Sequence, residues 1–318
     1  MTSNRCLLVS PDFPPPMIGG SLVYIKTLLE NSNQEFDVLT GPINNSEPEV
    51  LKYPHKVIRS NFIINSNQPS SYRLAFSYLF ILFWVSSKII SGSYRIVVAN
   101  PGAVGNSLLF LLGKILRVKV IGVAYAEELT VPLLGKGTKN LIKRSLLKYS
   151  YRKASGFVVV CHFCKEILIN KLSVSEGSID VIASCLSKEK FKDLPQDKIN
   201  GNSILSVGRL IERKGFRYLI KSVARIQKKI PDLVLNIVGS GPLESDLVKL
   251  IIDLKAEEYI TISTGLNDTS LSSLYQNADL FILANYCLSN GDTEGCPSVF
   301  SEAMAYGLPV IGGKGAGV

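Results

Sequence analysis

Two carboxylates eight residues apart, Glu294 and Glu302, bracket a helix start in the run Glu294-Gly-Cys-Pro-Ser-Val-Phe-Ser-Glu302-Ala-Met-Ala-Tyr-Gly-Leu-Pro-Val. Pro297 suits the first turn of a helix, where its missing N–H costs nothing, and Gly307 supplies the stop after Tyr306. The expected order is loop, helix, Gly-Leu-Pro turn, strand, with Glu294 in the loop and Glu302 about one turn inside the helix. Free N–H groups at a helix start hold phosphate. A carboxylate accepts two hydroxyl hydrogen bonds at once, which suits a sugar or ribose diol. Amides for phosphate and acids for hydroxyls together fit a nucleotide sugar. Taken alone, Glu302 is equally a first-turn acid favoured by the helix dipole.

Two cations five residues apart lie upstream, in Ser206-Val-Gly208-Arg209-Leu-Ile-Glu-Arg-Lys214-Gly215. This segment follows a strand and precedes a helix, so both charges sit at the carboxyl end of that strand. There they neutralise a diphosphate leaving group without a metal. Arg209 offers a planar fork to phosphate oxygens and Lys214 a mobile point charge, while Arg213 between them is expected to face solvent. Val238-Gly239-Ser-Gly241-Pro-Leu is a second glycine turn between strand and helix, a weak signal by itself. In the first half, Ser10-Pro-Asp-Phe-Pro-Pro-Pro-Met-Ile-Gly19-Gly20 joins the first strand to the first helix. Its two glycines permit close backbone approach to a ligand at the helix start.

The elements that position these residues alternate. Cys6 to Ser10, Asp37 to Thr40, Arg95 to Ala99, Val118 to Ala124 and Gly156 to Val160 are short apolar runs, as expected of parallel strands buried on both faces. Helical spacing fills the gaps at Ser21 to Asn31, Ala103 to Leu116 and Lys139 to Lys153. A second series begins at Ser203 to Val207 and continues through helices at Phe216 to Ile230, Leu243 to Leu254 and Leu271 to Asn277. Its further strands fall at Leu233 to Val238, Tyr259 to Ser263, Leu280 to Ala284 and Pro309 to Gly312. The predicted fold class is α/β, with two Rossmann-like doubly wound domains: residues 1–188, a linker at 189–202, and residues 203–318.

In this order the segments resemble the retaining GT-B glycosyltransferases of family 4, the glycosyl transferases group 1 type. The Glu294 to Val310 run is similar to that family's Glu-x7-Glu motif, and Gly208-Arg209 with Lys214-Gly215 resembles its donor-phosphate motif. The resemblance implies two domains facing across a cleft and metal-independent transfer from a nucleotide sugar. Catalytic roles fall to Glu294, Arg209 and Lys214, and donor contacts to Glu302, Gly208, Gly239, Gly241, Leu266, Ser298 and Val299. Gly19 and Gly20 match the family's glycine loop on the acceptor side. Tyr125, in Ala124-Tyr-Ala-Glu-Glu128, stands where the family often has the His of a His-Gly-x-Glu segment, and no base is expected there. The family's Pro-Asn-Gly segment is replaced by Ile182-Ala-Ser-Cys-Leu186. Where the family adds another strand and a crossing helix, the sequence ends at Val318, so a truncated second domain is expected.

Charge narrows the partners. The net +9 divides into +10 over residues 1–195 and −1 over residues 196–318. Its densest part is Lys136, Lys139, Lys143, Arg144, Lys148, Arg152 and Lys153, with Arg144, Lys148 and Arg152 recurring every four residues on one helical face. An anionic membrane surface and an ordinary solvated face both fit. Nucleic acid fits less well and is not expected as a partner, because no aromatic interleaving accompanies the charge. Leu74 to Ile90 is apolar almost all round, with one charge near its end; it is read either as a packed helix of the α/β layer or as one that dips a face into the bilayer. Cys161-His-Phe-Cys164 has the gap of a metal or redox pair, but nothing completes a zinc set and no metal is expected. The start of the chain lacks a signal-peptide pattern, so a cytoplasmic location, peripheral on the inner membrane face, is expected.

These readings converge on a glycosyltransferase that moves a sugar from a nucleotide sugar to a glycan or lipid-linked acceptor in surface polysaccharide assembly. No cofactor is implied beyond the donor as substrate. A truncated, non-catalytic nucleotide-sugar-binding protein and a GT-B sugar-nucleotide epimerase are the alternatives.

Overall fold

The computed structural model describes residues 5–14, 20–43, 55–64, 71–183, 201–314 and 317–318. It forms two compact units, Met1–Ala183 and Ser184–Val318. Gly19 and nearly all of the linker read at 189–202 lie outside the described residues.

The first unit is a seven-stranded parallel sheet in the order β3-β2-β1-β4-β5-β6-β7. The strands are β1 (Cys6–Val9), β2 (Phe36–Thr40), β3 (Lys56–Arg59), β4 (Ile96–Ala99), β5 (Lys119–Ala124), β6 (Gly156–Val159) and β7 (Ile179–Val181). All four residues of β1 are buried, as a central parallel strand covered on both faces requires. Asp37 on β2 is tolerated inside because the Tyr94 hydroxyl donates to its carboxylate at 2.6 Å. The crossovers are α1 (Gly20–Glu30), α2 (Ser71–Ile90), α3 (Gly102–Leu116), α4 (Ala126–Leu134), α5 (Thr138–Ser150) and α6 (His162–Leu172). The strand order reverses direction between β1 and β4, so the ends of these two strands form the switch point of the sheet.

The second unit is a five-stranded parallel sheet in the order β10-β9-β8-β11-β12. It is made of β8 (Ser203–Val207), β9 (Val234–Val238), β10 (Ile260–Ser263), β11 (Leu280–Leu283) and β12 (Val310–Gly312), joined by α7 (Phe216–Ile226), α8 (Glu244–Asp253), α9 (Asp268–Asn277) and α10 (Ser298–Ala305). Helix α7 shows why the packing is unambiguous. Phe216, Leu219, Ile220 and Val223 are its buried residues, at the i, i+3, i+4, i+7 spacing of one helical stripe. They meet Leu205, Leu235, Ile237, Phe281 and Leu283 in one core. Each such side chain contributes about 1.5–3 kcal/mol on burial.

Three expectations change. Helix α5 ends at Ser150 and Tyr151–Lys153 is a 3-10 turn, so the expected helix through Lys153 is broken near its end. Arg144 does not belong to an outward basic stripe: its guanidinium turns back to the Gly135 carbonyl at 3.1 Å, while Lys148 and Arg152 stay exposed. Pro297 is the N-cap of α10, one residue before the first turn in which it was expected.

Candidate functional site

Glu294 sits in the loop between β11 and α10, and its carboxylate is clamped by two cations. Arg213 Nε donates to Oε1 at 2.6 Å, and Lys214 Nζ approaches Oε2 at 3.2 Å. Arg213 spends its other arm on Asp292, at 2.9 Å. All three members of the central cluster are largely buried. Arg213 was expected to face solvent, and this is corrected: a 3-10 turn over Glu212–Lys214 swings it inward. The Tyr286 N–H then holds the Arg213 carbonyl at 2.9 Å.

Burial pushes the Glu294 carboxyl upward, but the charges of Lys214 and Arg213 outweigh it and hold the group below the usual carboxylate range. Lys214 is shifted downward, chiefly by burial, with Glu294 offsetting only part of the penalty. Lys214 is therefore held rather than mobile. Its stem passes over Gly208, with Cε 3.5 Å from the place a Cβ would occupy. An ammonium has three donors, so the pairing with Glu294 leaves donors for phosphate oxygens. Arg209 lies exposed in the same loop, outside the ion-pair cluster.

Glu302 is placed one turn into α10 and already holds hydroxyls. Tyr275 donates to Oε2 at 3.1 Å and Ser298 to Oε1 at 3.3 Å. Burial first, and then the Glu302 charge, pushes the Tyr275 hydroxyl far above its ordinary value, so it remains a donor. The Tyr275 ring is stacked on Tyr306, with centroids 5.2 Å apart. No side chain caps α10, so its first-turn N–H groups are not taken up by a capping side chain. Val299 is half-buried beside them.

The glycine turns act on each other. Gly208 N–H donates to Val238 O, and Leu210 N–H to Ser240 O, each at 2.9 Å. A Cβ on Gly239 would overlap the Gly208 carbonyl, so this glycine permits one loop to lie directly on the other. Leu266 is exposed in the loop between β10 and α9. The named segments all lie at the carboxyl ends of the parallel strands, where ligands of α/β sheets bind.

In the first unit, Tyr125 is the N-cap of α4; its hydroxyl donates to Ser21 O at 3.4 Å and its ring meets Tyr24 edge-on at 6.0 Å. Gly20 is the first residue of α1. Glu128, three residues after the N-cap, accepts the Tyr125 N–H in half of a capping box. Its Oε2 is shut off from solvent without a partner, and burial, followed by the charge of Glu127, pushes the carboxyl up to about 8. A raised carboxyl contributes stability that is full below the ordinary carboxylate range and lost as pH rises through about 8. Glu128→Gln is therefore expected to stabilise the protein by about 2 kcal/mol at high pH and by much less under acid conditions. Urea unfolding across that range checks it, and a constant difference would sink it.

Residues 187–318 match the family Glycosyl transferases group 1. An uncharacterized glycosyltransferase of Haemophilus influenzae is 41% identical over 114 residues, covering 36% of this chain and 30% of the relative. The GDP-mannose-dependent alpha-(1-6)-phosphatidylinositol monomannoside mannosyltransferase of Mycolicibacterium smegmatis is 32% identical over 117 residues, again 36% of this chain and 30% of the relative. The chain thus matches about a third of the length of these relatives. Among solved structures, sucrose-phosphate synthase from Thermosynechococcus elongatus superposes with a TM-score of 0.71 at 20% identity, covering 99% of this chain and 82% of that one. Residues 187–318 carry a Glycosyl transferases group 1 domain, and the α/β fold with two parallel sheets matches GT-B glycosyltransferase structures.

Proposed function

We propose that this chain is a retaining glycosyltransferase that moves a sugar from a nucleotide sugar onto a glycan or lipid-linked acceptor in surface polysaccharide assembly, without a metal. The observation that carries the reading is the cation pair Arg213 and Lys214 locked on Glu294, with exposed Arg209 on the same loop. A diphosphate leaves best where positive charge is preorganised and partly desolvated. As the bond between the anomeric carbon and phosphate oxygen breaks, the electron pair goes to that oxygen, facing Arg209 and Lys214. The acceptor oxygen attacks the same sugar face and its proton passes to the departing phosphate. Glu294 retains lone pairs for sugar hydroxyls. Glu302 exchanges its Tyr275 and Ser298 hydroxyls for those of the ribose. The lipid-linked acceptor draws support from the mannosyltransferase relative, whose acceptor is a phosphatidylinositol mannoside. On this reading the protein works at the inner face of the membrane.

The test is a panel of nucleotide sugars screened by thermal unfolding, followed by transfer of radiolabelled sugar from the hit. One donor should raise the unfolding temperature, because ligand bound only to the native state stabilises it. Arg209→Ala should slow transfer by about 100-fold with the unfolding temperature unchanged. Conversion of free donor without acceptor would make the protein an epimerase. Donor binding without turnover would make it a binding protein.

A further inference from the structure

Helix α2 is apolar on two opposite faces, and only one of them is covered. Ser77, Ile81 and Val85 form the buried side. On the other side Tyr72, Phe76, Leu79, Phe83 and Ile90 are 72%, 73%, 63%, 76% and 75% exposed. Their spacing of four, three, four and seven residues places all five on one line along the helix. Phe62, 68% exposed, packs on Phe80 at the flank of this line, with ring centroids 5.1 Å apart. Single exposed apolar residues are ordinary, but a continuous aromatic stripe over a 20-residue helix marks a contact surface.

The fold and the charge identify the contact. Tyr72–Ile90 is long and apolar enough to cross a membrane by length and composition. However, α2 joins β3 to β4 of one sheet and packs on α3, so it lies along the unit instead of leaving it. Helix α5 packs on α3 as well, and right-handed crossovers set α2, α3 and α5 on the same face of the sheet. On α5 and the turns beside it Lys136, Lys139, Lys143, Lys148 and Arg152 are exposed, together with Leu141, Ile142 and Tyr149. Between residues 50 and 165 the sequence holds seventeen Lys and Arg against two acids, Glu127 and Glu128. Lys88 reaches over the Trp84 ring at 5.6 Å, and Lys153 over Tyr149 at 4.4 Å. An apolar aromatic stripe beside cations with almost no acids suits an interfacial lipid layer and opposes a basic or neutral partner.

We propose that the first unit docks on an anionic phospholipid bilayer, burying the Tyr72, Phe76, Leu79, Phe83 and Ile90 stripe of α2 in the headgroup and upper acyl region while the lysines of α5 meet the headgroups. The proposal stands apart from the transfer reading, because vesicle binding is measured without donor or acceptor. Sedimentation of the full chain with phosphatidylcholine vesicles, with and without about 30% phosphatidylglycerol, tests it. Binding should be at least tenfold tighter to the anionic vesicles and should weaken with salt. Trp84, the single tryptophan, should shift its emission to the blue on binding. The pair Phe76→Ser and Phe83→Ser should weaken binding at least tenfold with an unchanged circular dichroism spectrum. The triple change Lys139→Gln, Lys143→Gln and Lys148→Gln should remove the preference for anionic lipid. Failure to bind, equal binding to neutral vesicles, or wild-type binding by the phenylalanine variant would each overturn it. So would a wild-type dimer in gel filtration that the phenylalanine variant dissociates, since a second copy would then cover the stripe.

Discussion

Replacing Glu294 with alanine is expected to lower the unfolding free energy by about 3 kcal/mol and to bring sugar transfer to background. The stability loss follows from what is left behind. Arg213 and Lys214 have side chains only 16% and 11% exposed, and removing Glu294 leaves Lys214 without its 3.2 Å counter-charge. Arg213 keeps Asp292 at 2.9 Å, so the penalty falls mainly on Lys214. The pH dependence distinguishes this from a simple cavity. In the wild type the lowered Glu294 carboxyl contributes stability above the ordinary carboxylate range, lost as pH falls through its depressed value. In the variant, Lys214 has its folded value depressed further by burial alone. The unfolded state then binds more protons, so the variant recovers stability as pH rises. Urea denaturation at about pH 3, at pH 7 and at about pH 9.5 measures both effects, the first two points reading the carboxylate and the last two the lysine. Equal midpoints for wild type and variant would show that the cluster adds nothing to the fold. Transfer that survives the substitution would remove Glu294 from the site.

Gly215→Ala should cost about 3 kcal/mol or more, and its effect on activity should follow its effect on folding. Gly215 ends the turn that carries Arg213 and Lys214, with φ +72, and a Cβ there would overlap the Ala284 carbonyl on the loop after β11. The strain of the left-handed conformation adds to a steric overlap with backbone, which no side-chain rotation relieves. Gly265→Ala is the control. It has a similar φ of +65, with nothing within 4 Å of the added Cβ, so only the conformational part is lost. A Gly215 variant no less stable than the Gly265 variant would contradict the close contact.

The sheet was legible because its central strands are short apolar runs with nothing else to be. Cys6 to Val9 and Leu280 to Leu283 announce themselves, whereas Lys56–Arg59 and Ile179–Val181 were missed. Those two are the edge strands of the first sheet, where one side of the ladder faces water and polar residues are permitted. Helices α4 and α6 were missed for a different reason: Pro132 interrupts one, and the short run of the other carries little periodicity.

At the site, segment order puts Glu294, Arg209 and Lys214 in strand-to-helix loops and Glu302 one turn into the helix that follows, and the structure has them there. The inward turn of Arg213 was not legible, because neighbours in a 3-10 turn have no periodic pattern that separates inside from outside. A signal existed in the acids: Asp292 and Glu294, two residues apart in an extended loop, point the same way and match an Arg-Lys doublet. Tyr275 was invisible as a partner of Glu302, because the pairing spans 27 residues and depends on how α9 packs.

The second unit has its own sheet and its own hydrophobic core, and the ion-pair cluster, both glycine turns and the uncapped helix are all built from its residues. It is a modular cassette. Among the described residues, the side chains that hold Glu294 all belong to Ser184–Val318, so substitutions in Met1–Ala183 are expected to leave the ion-pair cluster unchanged. The family match over residues 187–318 follows the same seam.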